Sequence, residues 1–217
     1  MRTDVSTALK GRRLLVAVSG SIAAVKTPLL VSALVKAGAE VRCLVTPSAA
    51  KLVSPLALAT LSRHRCYTED DGWDSSCSRP LHIELAEWAE LVLLAPLSAT
   101  TLSRWSQGSA DGLLASVLLA CECPVLAAIA MNTAMWSHPA VQRNWQIVQT
   151  FPGVVPLMPQ PGLLACDRLG DGRMADPMLI ELAASSLFSR GDAGPFANRD
   201  WSGRRLLVSA GPTVEPI

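Results

Sequence analysis

Apolar runs and polar punctuation alternate along this chain in a way that sets its fold class. Residues 12–21 ("RRLLVAVSGS") are apolar and end in Gly-Ser, and residues 22–38 follow with apolar positions at helical spacing and a stop at Gly38. Residues 40–46 ("EVRCLVT") read as a second strand, so the opening predicts strand, tight turn, helix, strand, the parallel βαβ unit. The same reading predicts a helix over 51–62, an exposed polar loop over 64–80 and a helix over 82–90. A third buried strand spans 91–96, helices span 98–108 and 111–122, and a fourth strand spans 124–131. A helix over 138–151 has Pro139 near its first turn, and a short strand over 154–158 follows. A Gly-rich loop over 163–174 and a helix over 177–190 close the domain. The expectation is an α/β fold, three-layered and Rossmann-like, with a parallel sheet between helices.

Residues 190–202 ("RGDAGPFANRDWS") read as a linker between a first domain over 1–189 and a new beginning over 203–217. That last stretch, "GRRLLVSAGPTVEPI", repeats the opening "GRRLLVAVSGS" closely. It reads as the first strand of a truncated second α/β domain, with an edge strand of the first domain as the alternative.

Composition narrows the function. Half of the 217 residues are hydrophobic, ample for a core, and the net charge of +1 offers no basic field for nucleic acid or anionic lipid. The longest apolar runs are too short for a bilayer, and the N-terminus lacks the apolar core of an export signal. Cys43, Cys66, Cys77, Cys121, Cys123 and Cys166 are therefore expected to be reduced thiols in a cytoplasmic protein. Cys121 and Cys123 are spaced C-x-C, but no His or second Cys pair completes a zinc set, so no metal is expected.

The candidate chemistry sits at strand ends. Gly20-Ser21-Ile22, Thr46-Pro47-Ser48 and Ser98-Ala99-Thr100-Thr101 each place hydroxyls at a helix start, where backbone N–H groups and the helix dipole favour anions. Each turn taken alone is also explained by helix capping. The three together point to a nucleotide or a flavin, and "VSGSIAA" lacks the full G-x-G-x-x-G of the usual dinucleotide fold. His82, ahead of a helix and behind a long polar loop, is a candidate base or carboxylate partner; a structural or solvated histidine is the alternative. His64 and His138 read as surface or capping residues. Asn132 follows the fourth strand and can offer amide donors to a carboxylate, whereas Met131, Met135 and Trp136 read as core.

In order along the chain, "SGSIAAVK", "HIELAEWAELVLLAPLSATTLS", "AMNTAMW" and "ACDRLGDGRM" make up a set that resembles the homo-oligomeric flavin-containing cysteine decarboxylases over residues 11–187, and within them the phosphopantothenoylcysteine decarboxylases. The tail "LLVSAGPTVEPI" resembles the opening of the phosphopantothenate–cysteine ligase domain that is fused behind such decarboxylases in many bacteria. The resemblance implies FMN on Gly20, Ser21, Ile22, Thr46, Ser48, Ser98, Ala99, Thr100 and Thr101, with Ala130 beside the ring. It implies His82 as the active-site histidine, Asn132 as the holder of the substrate carboxylate, and Cys166 as the proton donor. Cys166 would act from a clamp that includes Ala165, Arg173 and Met174 and has Gly170 and Gly172 as hinges. It also implies a flavin site between subunits, in homotrimers or dodecamers of trimers.

The implied reaction is decarboxylation of 4'-phospho-N-pantothenoylcysteine to 4'-phosphopantetheine in coenzyme A biosynthesis. A cysteinyl carboxylate has no electron sink. Oxidation at the thiol carbon gives a thioaldehyde, which accepts the electrons as CO2 leaves and becomes an enethiolate. Protonation at carbon and return of hydride close a redox-neutral cycle. A thiol with a pKa of about 8.5 is a fitting proton donor near neutral pH. A peptidyl-cysteine decarboxylase and a regulatory flavin-binding protein that engages a phosphatase are the alternatives. Three departures from the family pattern stand out: Thr100 in place of Asn, Ile129 in place of Pro, and Asp167-Arg168 after Cys166 in place of Gly-Asp.

Overall fold

The computed structural model describes residues 8–74, 78–163 and 169–189. The linker expected over 190–202 and the strand expected over 203–217 lie outside the described residues. So do Ala165 and Cys166.

Six parallel strands form the sheet: β1 (Arg13–Val18), β2 (Glu40–Val45), β3 (Cys66–Tyr67), β4 (Leu91–Leu97), β5 (Val125–Ile129) and β6 (Val154–Leu157). Their order is β3-β2-β1-β4-β5-β6. The chain builds outward from β1 to β3, then crosses back to lay β4 on the other side of β1, which makes the gap between β1 and β4 the topological switch point. All seven residues of β4 are buried, as required of a central strand covered on both faces. Alternate residues feed two separate cores. Leu14, Val16, Leu91 and Leu93 point into one, and Leu15, Ala17, Val92 and Leu94 into the other.

Helices cover both faces. The first core is closed by α1 (Thr27–Lys36), by a one-turn helix α2 (Pro47–Ala50), by α3 (Pro55–Ser62), and by a C-terminal helix (Pro177–Phe188) through Ile180 and Ala184. The second is closed by α4 (Leu81–Trp88), α5 (Ala99–Gln107) and α6 (Leu113–Ala120). After the short α7 (Thr133–Trp136), α8 (Pro139–Val148) completes that face through Trp145 and Val148, and the C-terminal helix is α9. The expected three-layer fold is what the structure shows.

Local expectations shifted where proline or brevity intervened. The helix expected over 22–38 is a 3-10 turn at Ile22–Lys26 followed by α1, because Pro28 lacks the N–H that would continue one helix through it. The helix expected over 51–62 starts only at Pro55, where the Ser54 side chain accepts from the Ala57 N–H at 3.3 Å. Residues 64–80, expected as an exposed loop, contain β3 and a 3-10 turn at Glu69–Trp73. Two paired residues are too few to show a strand period in the sequence. The Gly-rich stretch expected as a loop has strand structure in its described part: β7 (Gln160–Leu163) and β8 (Leu169–Arg173) pair antiparallel.

Candidate active site

The carboxyl ends of β1, β2, β4 and β5 lie side by side, and every sequence-predicted cofactor residue is on the turns that leave them. Ser19 holds the switch point together. Its buried hydroxyl donates to the Pro96 carbonyl at 2.7 Å and accepts from the Ser98 N–H at 2.8 Å, so the ends of β1 and β4 form one unit. Buried Thr27 adds a second tie by donating to the Ala95 carbonyl at 3.1 Å. Neither residue was among the sequence candidates. For Ser19 the available signal was a hydroxyl ending an otherwise apolar run.

The four turns are built alike. Ser21 Oγ accepts from Ala23 N–H at 3.4 Å and caps the 3-10 turn. Thr46 Oγ1 accepts from Ala49 N–H at 3.2 Å and caps α2, while Ser98 Oγ accepts from Thr101 N–H at 3.4 Å and caps α5. Asn132 Oδ1 accepts from Ala134 N–H at 2.8 Å and caps α7. Capping and anion binding are compatible, because a cap satisfies one of several outward N–H groups. Gly20 is exposed and touches the second turn: a Cβ placed there would lie 2.5 Å from Ser48 Cβ. Only glycine lets these two turns meet. Ser48 and Thr100 are exposed, Ser98 and Thr101 are buried, and the Ser98 and Thr101 hydroxyls are 3.3 Å apart. Ala130 is buried with its N–H on the Leu97 carbonyl at 3.1 Å.

The hairpin β7–β8 docks on the fourth turn. Met131 N–H donates to the Gly172 carbonyl at 3.1 Å. A Cβ on Gly170 would lie 2.3 Å from Thr133 Oγ1, and that hydroxyl is buried without a hydrogen-bond partner among the described residues. Met174 is buried in the first core and anchors the strand, while Arg173 packs its guanidinium against Gly162. The paired residues Leu163 and Leu169 bracket the segment that contains Ala165 and Cys166.

His82 sits on the helix that precedes β4 rather than on a turn that follows a strand. It lies in the first turn of α4 rather than ahead of the helix, and it lines a cavity of about 640 Å3 with Glu69, Asp71, Trp73, Arg79 and Gly112. None of the cofactor-turn residues lines that cavity. Glu69 is engaged there, accepting from the Leu113 N–H at the start of α6 through both oxygens at 2.9 and 3.1 Å. The other two histidines fit their expected roles. His138 caps α8 through Nδ1, which accepts from Ala140 N–H at 3.2 Å, and His64 is an exposed side chain 3.9 Å from Glu40.

Comparison with known proteins places this geometry. The family model described as "Flavoprotein" matches residues 2–183. The coenzyme A biosynthesis bifunctional protein CoaBC of Bacillus subtilis is 39% identical over 209 residues, covering 96% of this chain and 50% of that protein. The chain thus spans about half the length of the curated relatives it matches. A PPC decarboxylase mutant complexed with pantothenoylaminoethenethiol superposes with a TM-score of 0.75 at 36% identity, covering 81% of this chain and 97% of that one. The FMN binding protein AtHal3 gives a TM-score of 0.72, also at 36% identity, with 81% and 95% covered. The chain belongs to the flavoprotein family and is a PPC-decarboxylase-like member of it.

Proposed function

We propose that this chain binds FMN at the carboxyl edge of its sheet and decarboxylates 4'-phospho-N-pantothenoylcysteine to 4'-phosphopantetheine. The observation that carries the reading is the convergence of four capped, polar turns at the switch point, locked by Ser19. The donor set suits a phosphorylated polyol. Gly20 permits close approach, Ser21, Thr46, Ser48, Ser98, Thr100 and Thr101 supply hydroxyls, and Ile22 and Ala130 supply apolar surface. Helix N–H groups at Ala99 and beside Ser48 favour the phosphate charge. When bound, FMN would supply the two-electron sink and source at the cysteinyl carbon.

The remaining roles belong to the protein. The Ala134 N–H fixes the plane of the Asn132 amide, whose NH2 is the donor type a substrate carboxylate needs. Arg173 meets the phosphate-bearing substrate from β8, and Met174, being buried, contributes backbone rather than side chain. Ala165 completes the clamp, and Cys166 delivers the proton to carbon once CO2 has left. His82 reaches the site of a neighbouring copy, which explains why its cavity excludes the turns of its own chain. Ile22, Val25 and Leu29 form an exposed apolar row beside the first turn, consistent with a homotrimer or a dodecamer of trimers. The proposal includes a ligase domain continuing from residues 203–217 and a cytoplasmic setting. Among the described residues, no helix is long and apolar enough to cross a membrane.

Full-length protein mixed with this substrate under nitrogen should release CO2 and form 4'-phosphopantetheine. Cys166→Ser should release CO2 but stall before the final product. A yellow protein that releases no CO2 refutes the activity and leaves a flavin-binding regulator. Full turnover by Cys166→Ser refutes the role of the thiol alone.

A further inference from the structure

Helix α6 begins without a cap of its own. Its N-cap is Gly112, whose extended backbone (φ −173°, ψ 164°) suits the position but offers no side-chain oxygen to the free N–H groups of the first turn. The acceptor comes from elsewhere in the chain. Glu69 takes the Leu113 N–H on both carboxylate oxygens, at 2.9 and 3.1 Å, across a sequence separation of 44 residues. A carboxylate at that end of the helix is favoured by the dipole as well. The fit depends on glycine, because a Cβ on Gly112 would lie 3.0 Å from Glu69 Oε2.

The residue that caps α6 also opens the 3-10 turn at Glu69–Trp73. That turn is braced from within. Asp71 accepts from the Thr68 N–H at 2.7 Å and from the Thr68 hydroxyl at 3.0 Å, and it pairs with Arg65. Gly72 rests on α6, where an added Cβ would meet Leu113 Cδ1 at 3.6 Å. The Glu69 carboxylate therefore fastens an internally braced turn to the start of a helix. Both of these elements wall the cavity of about 640 Å3 that His82 lines from the first turn of α4. Helix α4 follows the turn in the chain and packs along α6. Releasing the turn from α6 would shift two of the three walls around His82 against each other. Glu69 is placed to hold rather than to exchange protons, since both its oxygens are turned to the Leu113 N–H.

We propose that Glu69 is a positioning residue for His82. By clasping the 3-10 turn to α6, it sets the shape of the cavity from which His82 serves the decarboxylase site. The proposal rests on the assignment of His82 to that site.

The test uses the full chain with FMN bound, each variant assayed below its own melting transition. Glu69→Ala removes the clasp. It should lower kcat about 100-fold, the loss that a misplacement of about 1 Å produces, while KM and FMN affinity stay near wild type. Its Tm should fall by about 2–4 °C for the lost cap. The double variant Glu69→Ala/Gly112→Ser separates positioning from capping. Its serine enters the room that the carboxylate leaves and caps α6 locally, so Tm should return while kcat stays low. Glu69→Gln keeps an oxygen for the Leu113 N–H and should recover most of the lost turnover. One further readout needs no turnover: carbethoxylation of His82 by diethyl pyrocarbonate, followed by mass spectrometry against the exposed His138. The His82 rate relative to His138 should change severalfold in Glu69→Ala and stay changed in the double variant. Wild-type kcat in Glu69→Ala overturns the proposal, as does kcat that returns together with Tm in the double variant. If the wild type itself releases no CO2, the decarboxylase reading fails on its own. The His82 rate then decides the positioning: a changed rate in Glu69→Ala upholds it, and an unchanged one overturns it.

Discussion

Gly20→Ala isolates the contact on which the proposed cofactor cradle depends. Gly20 is not among the glycines with positive φ, so alanine meets no backbone strain there. The whole effect is steric. The new Cβ would lie 2.5 Å from Ser48 Cβ, and ordinary apolar contact is about 4 Å, so the first and second turns must separate by roughly 1.5 Å. Overpacking of this size costs about 1–3 kcal/mol, which is about 5- to 150-fold in FMN affinity if the cost falls on the site. The cycle is closed with Ser48→Gly, which removes both close atoms, leaving only the Ser48 carbonyl carbon at an ordinary 3.7 Å. Ser48→Gly alone should weaken FMN through the lost hydroxyl and added chain freedom. In the double variant the two losses should be strongly less than additive. FMN dissociation constants from flavin fluorescence quenching measure all four corners. Wild-type affinity in Gly20→Ala, or strict additivity in the double variant, would refute the claim that these turns must touch for the flavin to bind.

Other consequences are tested more briefly. Thr133→Val replaces a buried, unpartnered hydroxyl with a methyl of the same shape, and should raise stability by about 1 kcal/mol, or about 2–4 °C in Tm by calorimetry; a lowered Tm contradicts it. His82→Asn and Asn132→Asp should each be inactive, yet mixing them after dissociation and reassembly should restore about a quarter of wild-type turnover if, as proposed, each complete site draws one half from each of two copies. A mixture that stays inactive places His82 in the site of its own chain. Burial, with Asp71 nearby, pushes the Cys66 thiol from 9.0 up to about 12. Above pH 9 the unfolded chain releases this proton while the folded chain keeps it, so stability falls as pH rises toward 12, by about 1.4 kcal/mol per pH unit from this thiol. Cys66→Val should flatten that part of the alkaline slope in denaturant melts at pH 8.5 and 10.5, and an unchanged slope rules the effect out.

The sheet was legible because its central strands are unbroken apolar runs, as in Leu91–Leu97, and no other short element looks like that. What the sequence hid was of two kinds. Elements shorter than their own period escape pattern reading: Cys66–Tyr67 becomes a strand only because Cys43 and Leu44 stand beside it. Pairings between distant segments escape as well, and the flanks of "LLACDRLGDGRM" form a hairpin because Leu163 can pair with Leu169. The candidate site followed the same division. Its hydroxyl turns were visible because caps are local, residue by residue. Ser19 and Thr27 were not, because each acts on a carbonyl about seventy residues away in sequence. His82 was recognisable as a residue type at a helix start, but the cavity it lines with Glu69 and Gly112 is a property of the folded chain.

Ser19 shows how much of the proposed site depends on one such hidden contact. Removing its hydroxyl by Ser19→Ala affects two buried partners unequally. The Pro96 carbonyl keeps a bond, because the Ser19 backbone N–H also donates to it at 3.3 Å. The Ser98 N–H loses the acceptor at 2.8 Å and is left unsatisfied in a buried position. One orphaned donor costs about 1–3 kcal/mol, which is several degrees of Tm in a domain of this size. The functional loss should exceed the thermal one. Ser98 caps α5, so a shifted Ser98 backbone tilts the helix N-terminus proposed to face the phosphate. FMN affinity should therefore drop even at temperatures where circular dichroism shows the variant fully folded. If Ser19→Ala loses stability but binds FMN as tightly as wild type, the switch-point lock is structural only. The cofactor must then rest mainly on the first and second turns.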